Sequence, residues 1–374
     1  MTPGVASPWR TNAKLFVATI ASVFATGVLN DAGSSKVRGV AKYFEPRVLL
    51  HGAQFAGTLL TILVAHELGH YVAARLHRVD ASLPFFIPMP YLSPFGTMGA
   101  VIRMRGTIPT RRALLDIGAA GPLAGLVFAI PLYAWGAAHS TIIAIPAQGE
   151  AAQLGDSILL RFLDHTFSPA RPPGTDLELG PVAFGAWGGL FVTMINLLPI
   201  GQLDGGHVAY ALFGKHQDTI ARWFHRSLLV FFVGLVIVRT GADFAHLGRH
   251  LANGMFWLFW FQLLAVLGTV SARGRDEGPP KGFLTVSQRG LAMLVLLGLA
   301  SAAREIPGPL LPGLFVLVLV LLVGKDWQAG VLRKHDLLDH PPTAPEALDP
   351  VRAVVAVVTL VMFVLLFMPE PITM

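Results

Sequence analysis

The sequence predicts an all-α polytopic membrane protein with about seven to nine transmembrane helices. Three observations carry this. Of 374 residues, 53% are hydrophobic and 13% charged, against about 25% charged in a soluble domain. Mean hydropathy is +0.61. Apolar runs close to the roughly 20 residues needed to cross a bilayer recur along the chain. The chain has no cysteine. That excludes a disulfide framework, a cysteine metal site and a cysteine nucleophile. The net charge of +6 comes without a basic stripe interleaved with aromatics, so no nucleic-acid partner is expected. Lys and Arg retained in cytoplasmic loops account for the excess.

The elements follow in order. Residues 1–47 form an N-terminal segment whose apolar run, 15–29, lacks a small-x-small cleavage site after it and so reads as a first span. Residues 48–214 read as the core, with spans at 48–75, 113–137 and 182–203. Pro199 and Gly201 break the last of these at membrane depth, which is tolerated only beside protein or a cavity. Residues 215–374 hold spans at 227–240, 254–270, 289–303, 310–323 and 351–367, then polar surface at 325–350. The pair 289–303 and 310–323, flanking Arg304 to Pro309, reads equally as a re-entrant hairpin.

Basic residues near the span ends give the orientation. Arg75, Arg78, Arg103, Arg105, Arg111 and Arg112 mark the connection between the second and third runs as cytoplasmic. Lys215, Arg222, Arg226, Arg273, Arg275, Lys281, Arg289, Lys325, Arg333 and Lys334 agree. Residues 139–181 carry only Arg161 and Arg171 against five acids, and read as the opposite side. Lys36, Arg38, Lys42 and Arg47 disagree. If 15–29 spans from the inside, they fall outside.

His66-Glu67-Leu68-Gly69-His70 interrupts an apolar run. At i and i+4 on a helix the two imidazoles share a face and can bind one zinc, with Glu67 beside it as a base. Ionisable groups inside a membrane are costly and mark function by default. The bland reading is two snorkelling histidines and a glutamate at a helix end. A third ligand is needed, and Asp204, just past the break at Pro199, is the next candidate. Asp204 equally suits an ordinary helix cap.

With Asn196-Leu-Leu-Pro199 and Leu203-Asp204-Gly-Gly206 following about 130 residues after the histidines, the chain resembles the site-2 protease family. It is most similar to the cyanobacterial and plastid-like branch without an inserted PDZ (peptide-binding) domain. Phe95-Gly-Thr-Met-Gly and Asp116-Ile-Gly-Ala-Ala-Gly-Pro support that branch, and the likeness covers about 57–214. The resemblance implies one zinc per chain on His66, His70 and Asp204, with Glu67 as general base and acid. It implies a zinc metalloendopeptidase that cuts in or near transmembrane segments of membrane proteins. It further implies a multi-pass location in a bacterial inner membrane or a plastid membrane. Its partners would be a transmembrane substrate and the lipid bilayer. Asn196 matches a position associated with the substrate backbone, though a buried Asn equally links two helices. His207 stands as an outer-sphere candidate only. The rival class is a non-enzymatic metal-binding transporter or chaperone, which would show repeated halves. None is evident.

Gly96 and Gly99 lie in a stretch with strand-like alternation, expected as a hairpin near the site that holds an unwound substrate. The four prolines at 84, 88, 90 and 94 forbid a helix before it. Gly121-x-x-x-Gly125 reads as a close-packing face, and Asp116 as a partner for a nearby Arg. The aromatic cluster Phe256 to Phe261 reads as interface anchoring.

Overall fold

The computed structural model describes residues 8–91, 93–105, 108–145, 153–241, 246–272, 282–306, 308–331, 343 and 346–373, and every count here concerns those residues. The helices are α1 (Pro8–Asp31), α2 (Pro46–Leu76), α3 (Arg111–Ala138), α4 (Ile158–Phe167), α5 (Pro181–Asn196) and α6 (Asp204–Phe213). They continue as α7 (His216–Thr240), α8 (Leu247–Ala272), α9 (Val286–Glu305), α10 (Leu310–Gln328) and α11 (Pro350–Leu366). Eight short strands pair in twos, all antiparallel: β1 (Asp80–Ala81) with β4 (Met104–Arg105), β2 (Phe85–Pro88) with β3 (Thr97–Val101), β5 (Thr141–Ala144) with β7 (Thr175–Glu178), and β6 (Gln153–Leu154) with β8 (Ile372–Thr373). Seven helices, namely α1, α2, α3, α7, α8, α9 and α10, are long and apolar enough to cross a membrane. The chain is an integral membrane protein of the all-α class expected.

Two compact units divide the chain. The first gathers Met1–Ile145, Ser157–Leu198 and Thr343–Phe367. At its centre α2, α3 and α5 pack on one another. Small residues let their backbones approach, the usual device where lipid removes any hydrophobic drive between helices. A Cβ on Gly69 would lie 2.4 Å from the Ala120 carbonyl oxygen, one on Gly136 2.5 Å from the Ala183 nitrogen, and one on Gly189 2.7 Å from Ile62. α4 is a short amphipathic helix capped by Ser157. Its Leu160 and Leu163 are buried, and Tyr133 of α3 donates to Asp164 at 2.9 Å. The β2–β3 hairpin packs against α1.

Asp116, at the head of α3, meets its arginine from far away in sequence. Arg352 of α11 donates to it at 2.7 Å, and His77 lies 2.8 Å from it at the end of α2. Asp349 caps α11 and takes a second bond from Arg352, at 2.6 Å.

The second unit gathers Pro146–Asp156, Pro199–Pro342 and Met368–Met374. In it α7, α8, α9 and α10 form a bundle. Arg289, Asp326 and Gln262 are buried there and bonded to one another. Arg289 also stacks over Phe283 at 4.1 Å.

Several expectations are corrected. The run 182–203 is not one helix. α5 ends at Asn196, because Pro199 cannot continue the hydrogen-bond ladder, and a separate helix starts at Asp204. The run 227–240 begins eleven residues earlier, at His216. Residues 289–303 and 310–323 lie in two helices of 20 and 19 residues, each long enough to cross by itself. Arg289 is no surface cation marking a cytoplasmic loop, since burial is made tolerable by Asp326 and Gln262. Trp257 and Phe261 are not interface anchors. Both are buried inside the second unit, and the Trp257 indole donates to the Pro369 carbonyl at 2.6 Å. The loop 273–281, with Arg273, Arg275 and Lys281, and most of the tail, with Arg333 and Lys334, lie outside the described residues.

Candidate metal centre

His66, Glu67 and His70 sit on α2 between ten and six residues before its C-terminal end at Leu76, about 15 to 9 Å from it at 1.5 Å per residue. His66 and Glu67 are buried, whereas Leu68 and Val72 on the same helix are exposed to the surrounding medium. At this turn α2 thus faces His66 and Glu67 inward and Leu68 and Val72 outward.

The two imidazoles converge. His66 Nε2 and His70 Nε2 are 3.1 Å apart, and His70 Nδ1 lies 2.7 Å from the carbonyl oxygen of Ile117 on α3. A carbonyl can only accept, so His70 Nδ1 carries the proton and Nε2 presents its lone pair. That outer hydrogen bond is the common way a metal-ligating histidine is held. Two nitrogens bound tetrahedrally to one zinc at about 2.05 Å stand roughly 3.3 Å apart. The observed spacing fits zinc.

α3 makes room for this arrangement. A Cβ on Gly121 would lie 2.1 Å from His70 Nε2 and 2.4 Å from its ring carbons, and one on Gly125 would be 3.4 Å from His66. The close-packing glycines read from sequence therefore pack against the candidate metal-ligating histidines themselves. Sequence reasoning saw the small-residue pattern but not that its partner was the imidazole pair.

Asn196, the last residue of α5, places its side-chain amide 3.2 Å from His66 Nε2. The structure therefore brings together His66, Glu67, His70 and Asn196 of the first unit.

Asp204 belongs to the second unit, as the first residue of α6, where the helix dipole favours negative charge. The turn before it is tightly built. Gly201 has φ +53°, and a Cβ on Gly206 would meet the Gly201 carbonyl oxygen at 2.4 Å. Gln217 donates to the Pro199 carbonyl at 2.6 Å. His207 is buried one turn after Asp204.

Gly96 and Gly99 have φ of +74° and +92°, the left-handed region that favours glycine. Gly96 is wedged against α1. Its carbonyl accepts from Ser22 at 2.5 Å, and a Cβ there would lie 2.5 Å from the Thr26 hydroxyl. That packing by itself accounts for a glycine at 96. At Gly99 a Cβ would meet nothing within 4 Å, so backbone conformation alone favours glycine there. Among the described residues β3 is paired on one edge only, with β2.

Residues 54–238 match Peptidase family M50. The chain is 33% identical over 166 residues to the probable zinc metalloprotease EGY2, chloroplastic, of Arabidopsis thaliana, an alignment covering 44% of this chain and 29% of that protein. It is 34% identical over 167 residues to the corresponding EGY2 of Oryza sativa subsp. indica, covering 42% and 29%. With the probable zinc metallopeptidase EGY3 of Arabidopsis thaliana it shares 28% over 259 residues, covering 65% and 40%. The chain thus spans about three tenths of the length of the first of these relatives. No solved structure matches it significantly. A buried HExxH helix, a zinc-compatible histidine pair and these likenesses agree: residues 54–238 match peptidase family M50, and the relatives they resemble are named as probable zinc metalloproteases.

Proposed function

We propose that the chain is an intramembrane zinc metalloendopeptidase that hydrolyses peptide bonds in or near the transmembrane segments of other membrane proteins. The carrying observation is the placement of His66, Glu67 and His70 on α2, a helix long and apolar enough to span, with two Nε2 atoms 3.1 Å apart. His66 and His70 would hold the zinc. Asp204 is the third ligand by its place in the Leu203-Asp204-Gly205 motif. When bound, zinc supplies Lewis acidity that makes water a nucleophile near neutral pH.

The protein's own residues do the rest. Glu67 takes a proton from the attacking water and returns it to the departing amine. Ile117 holds His70 in the ligating tautomer through its carbonyl. Asn196, beside His66, lies where it can bond the backbone of an unwound substrate. A transmembrane helix hides its amides in its own ladder, so the substrate must unwind before cleavage. The unpaired edge of β3, which contains Gly99 and follows Gly96, offers it a strand to pair with. Water reaches the site most directly from the C-terminal end of α2, the end marked by Arg75 and Arg78. The chloroplastic names of the relatives favour a plastid-type or cyanobacterial-type membrane as the setting over other bacterial membranes.

The test is a reconstituted cleavage assay with a transmembrane substrate, comparing wild type with Glu67→Gln at matched zinc content. Loss of the base should cost at least about 10²-fold in rate. Equal rates would remove Glu67 from the mechanism. A zinc-loaded wild type that cleaves no transmembrane substrate would favour the metal-binding, non-enzymatic class.

A further inference from the structure

The connection between α1 and α2 has no place in the catalytic reading, yet its chemistry is pronounced. Residues 32–47 contain Lys36, Arg38, Lys42 and Arg47 and a single acid, Glu45. Residues 77–112, on the far side of α2, contain Arg78, Arg103, Arg105, Arg111 and Arg112 and a single acid, Asp80. α2 is a candidate membrane span, so the two connections flank one crossing and lie on opposite faces of the bilayer. Cations accumulate on one face only when orientation alone governs them. Cations on both faces call for a second reason on one of them.

The shape of the 32–47 segment supplies it. Gly39–Phe44 is a single 3-10 helix with no buried residue. Val40 and Phe44 are each 71% exposed and Val37 is 41% exposed. The one acid is bound by Ser35 at 2.5 Å. Among the described residues no carboxylate lies within ion-pair distance of Lys36, Arg38 or Lys42. Only the Tyr43 ring, 5.0 Å from the Lys42 amine, attends that cation. Aliphatic and aromatic side chains thus project among uncompensated cations, on a loop held at the bilayer surface by a span at either end.

We propose that residues 35–47 form a lipid-binding surface for anionic phospholipid headgroups. Val37, Val40 and Phe44 enter the boundary between headgroups and acyl chains, while Lys36, Arg38 and Lys42 take the phosphates. The occupant is lipid, because the segment sits at headgroup depth and combines apolar insertion with charge. An acidic protein segment would use the charge alone.

The probe is spin-labelled phosphatidylglycerol, compared with spin-labelled phosphatidylcholine, in phosphatidylcholine vesicles holding the full-length chain. The wild type should retain phosphatidylglycerol preferentially, and added salt should weaken the preference. The Lys36→Gln/Arg38→Gln/Lys42→Gln variant should lose about fivefold per cation. Val40→Ser/Phe44→Ser should weaken retention of both lipids. The charge-conserving Lys36→Arg/Arg38→Lys/Lys42→Arg variant should match wild type, and unchanged zinc content reports folding. Equal retention of the two lipids by wild type overturns the proposal, as does an undiminished preference in the triple Gln variant. If that variant lost only the binding of an acidic substrate, with lipid preference intact, the surface would belong to a protein partner and the proposal would fall.

Discussion

Gly121→Ala tests the zinc site through a residue that is neither ligand nor base. The added Cβ would sit 2.1 Å from His70 Nε2 and 2.4 Å from both neighbouring ring carbons. Ordinary contacts of this kind settle at about 3.5 Å or more, so the imidazole must retreat by on the order of 1 Å. Its bond to the Ile117 carbonyl, 2.7 Å long, is lost in the process. Loss of such an outer partner costs about 10- to 100-fold in metal affinity, and a shift of this size costs roughly 10²-fold in rate. The helix itself does not suffer, because Ala exceeds Gly in helix propensity by about 1 kcal/mol. Gly125→Ala is the control. Its Cβ would lie 3.4 Å from His66, which a small adjustment absorbs. The measurement is zinc affinity by chelator competition on detergent-purified protein, with far-ultraviolet circular dichroism recorded alongside. Gly121→Ala should lose about 100-fold in affinity at unchanged helicity, and Gly125→Ala at least tenfold less. A Gly121→Ala protein that binds zinc like wild type would refute the claim that this glycine makes room for the ligand.

Three further predictions follow from the same geometry. His66→Ala, His70→Ala and Asp204→Ala should each abolish stoichiometric zinc in elemental analysis while His207→Ala keeps it, and the reverse for Asp204 and His207 would reassign the third ligand. Tags after Arg105 and near Pro172 should report opposite faces of the membrane, since α3 crosses between them, and a shared face would break the α2–α3–α5 core. The Asp349 carboxyl is held below the usual aspartate range, first by its hydrogen bond from the Arg352 side chain and then by the Arg352 backbone amide. A lowered folded-state value gives stability that is complete above about pH 4 and fades as pH falls through the folded value. Arg352→Gln should therefore lower the melting temperature at neutral pH, and the gap to wild type should close only in acid. A gap unchanged at low pH would disconnect the pair from stability.

What could be read in advance follows from where the information sits. The spans were legible because crossing a bilayer demands a long apolar run, and the histidine pair because i and i+4 face one way on any helix. The end of α5 was misplaced by seven residues, as the apolar run continues through Leu203 while Pro199 has already stopped the ladder. α4 escaped notice because ten amphipathic residues inside a polar connection lack the length of a span, although Ser157 marks its cap. The pairing of β5 with β7 joins residues more than thirty apart, which no local pattern announces. The small residues 121 and 125 were visible as a packing face, but a sequence does not say that imidazoles fill the space. The contact of Gly96 with Ser22 and Thr26, on a helix seventy residues earlier, is likewise announced by no local pattern. Trp257 and Phe261 looked like a membrane belt since lipid and protein interior favour the same side chains.

The bond between Asp116 and Arg352 joins positions 236 residues apart and has an effect on timing. A chain emerging from the ribosome has produced the histidines, the glutamate, Asn196 and Asp204 long before residue 350. Until then the C-terminal end of α2 and the head of α3 lack the arginine that joins them to α11, and α11 is absent from its seat against α3, α4 and α5. The first unit is therefore closed by a helix synthesised after all of these residues. The nascent chain therefore holds its candidate site residues early and gains the α11 contacts of the first unit late.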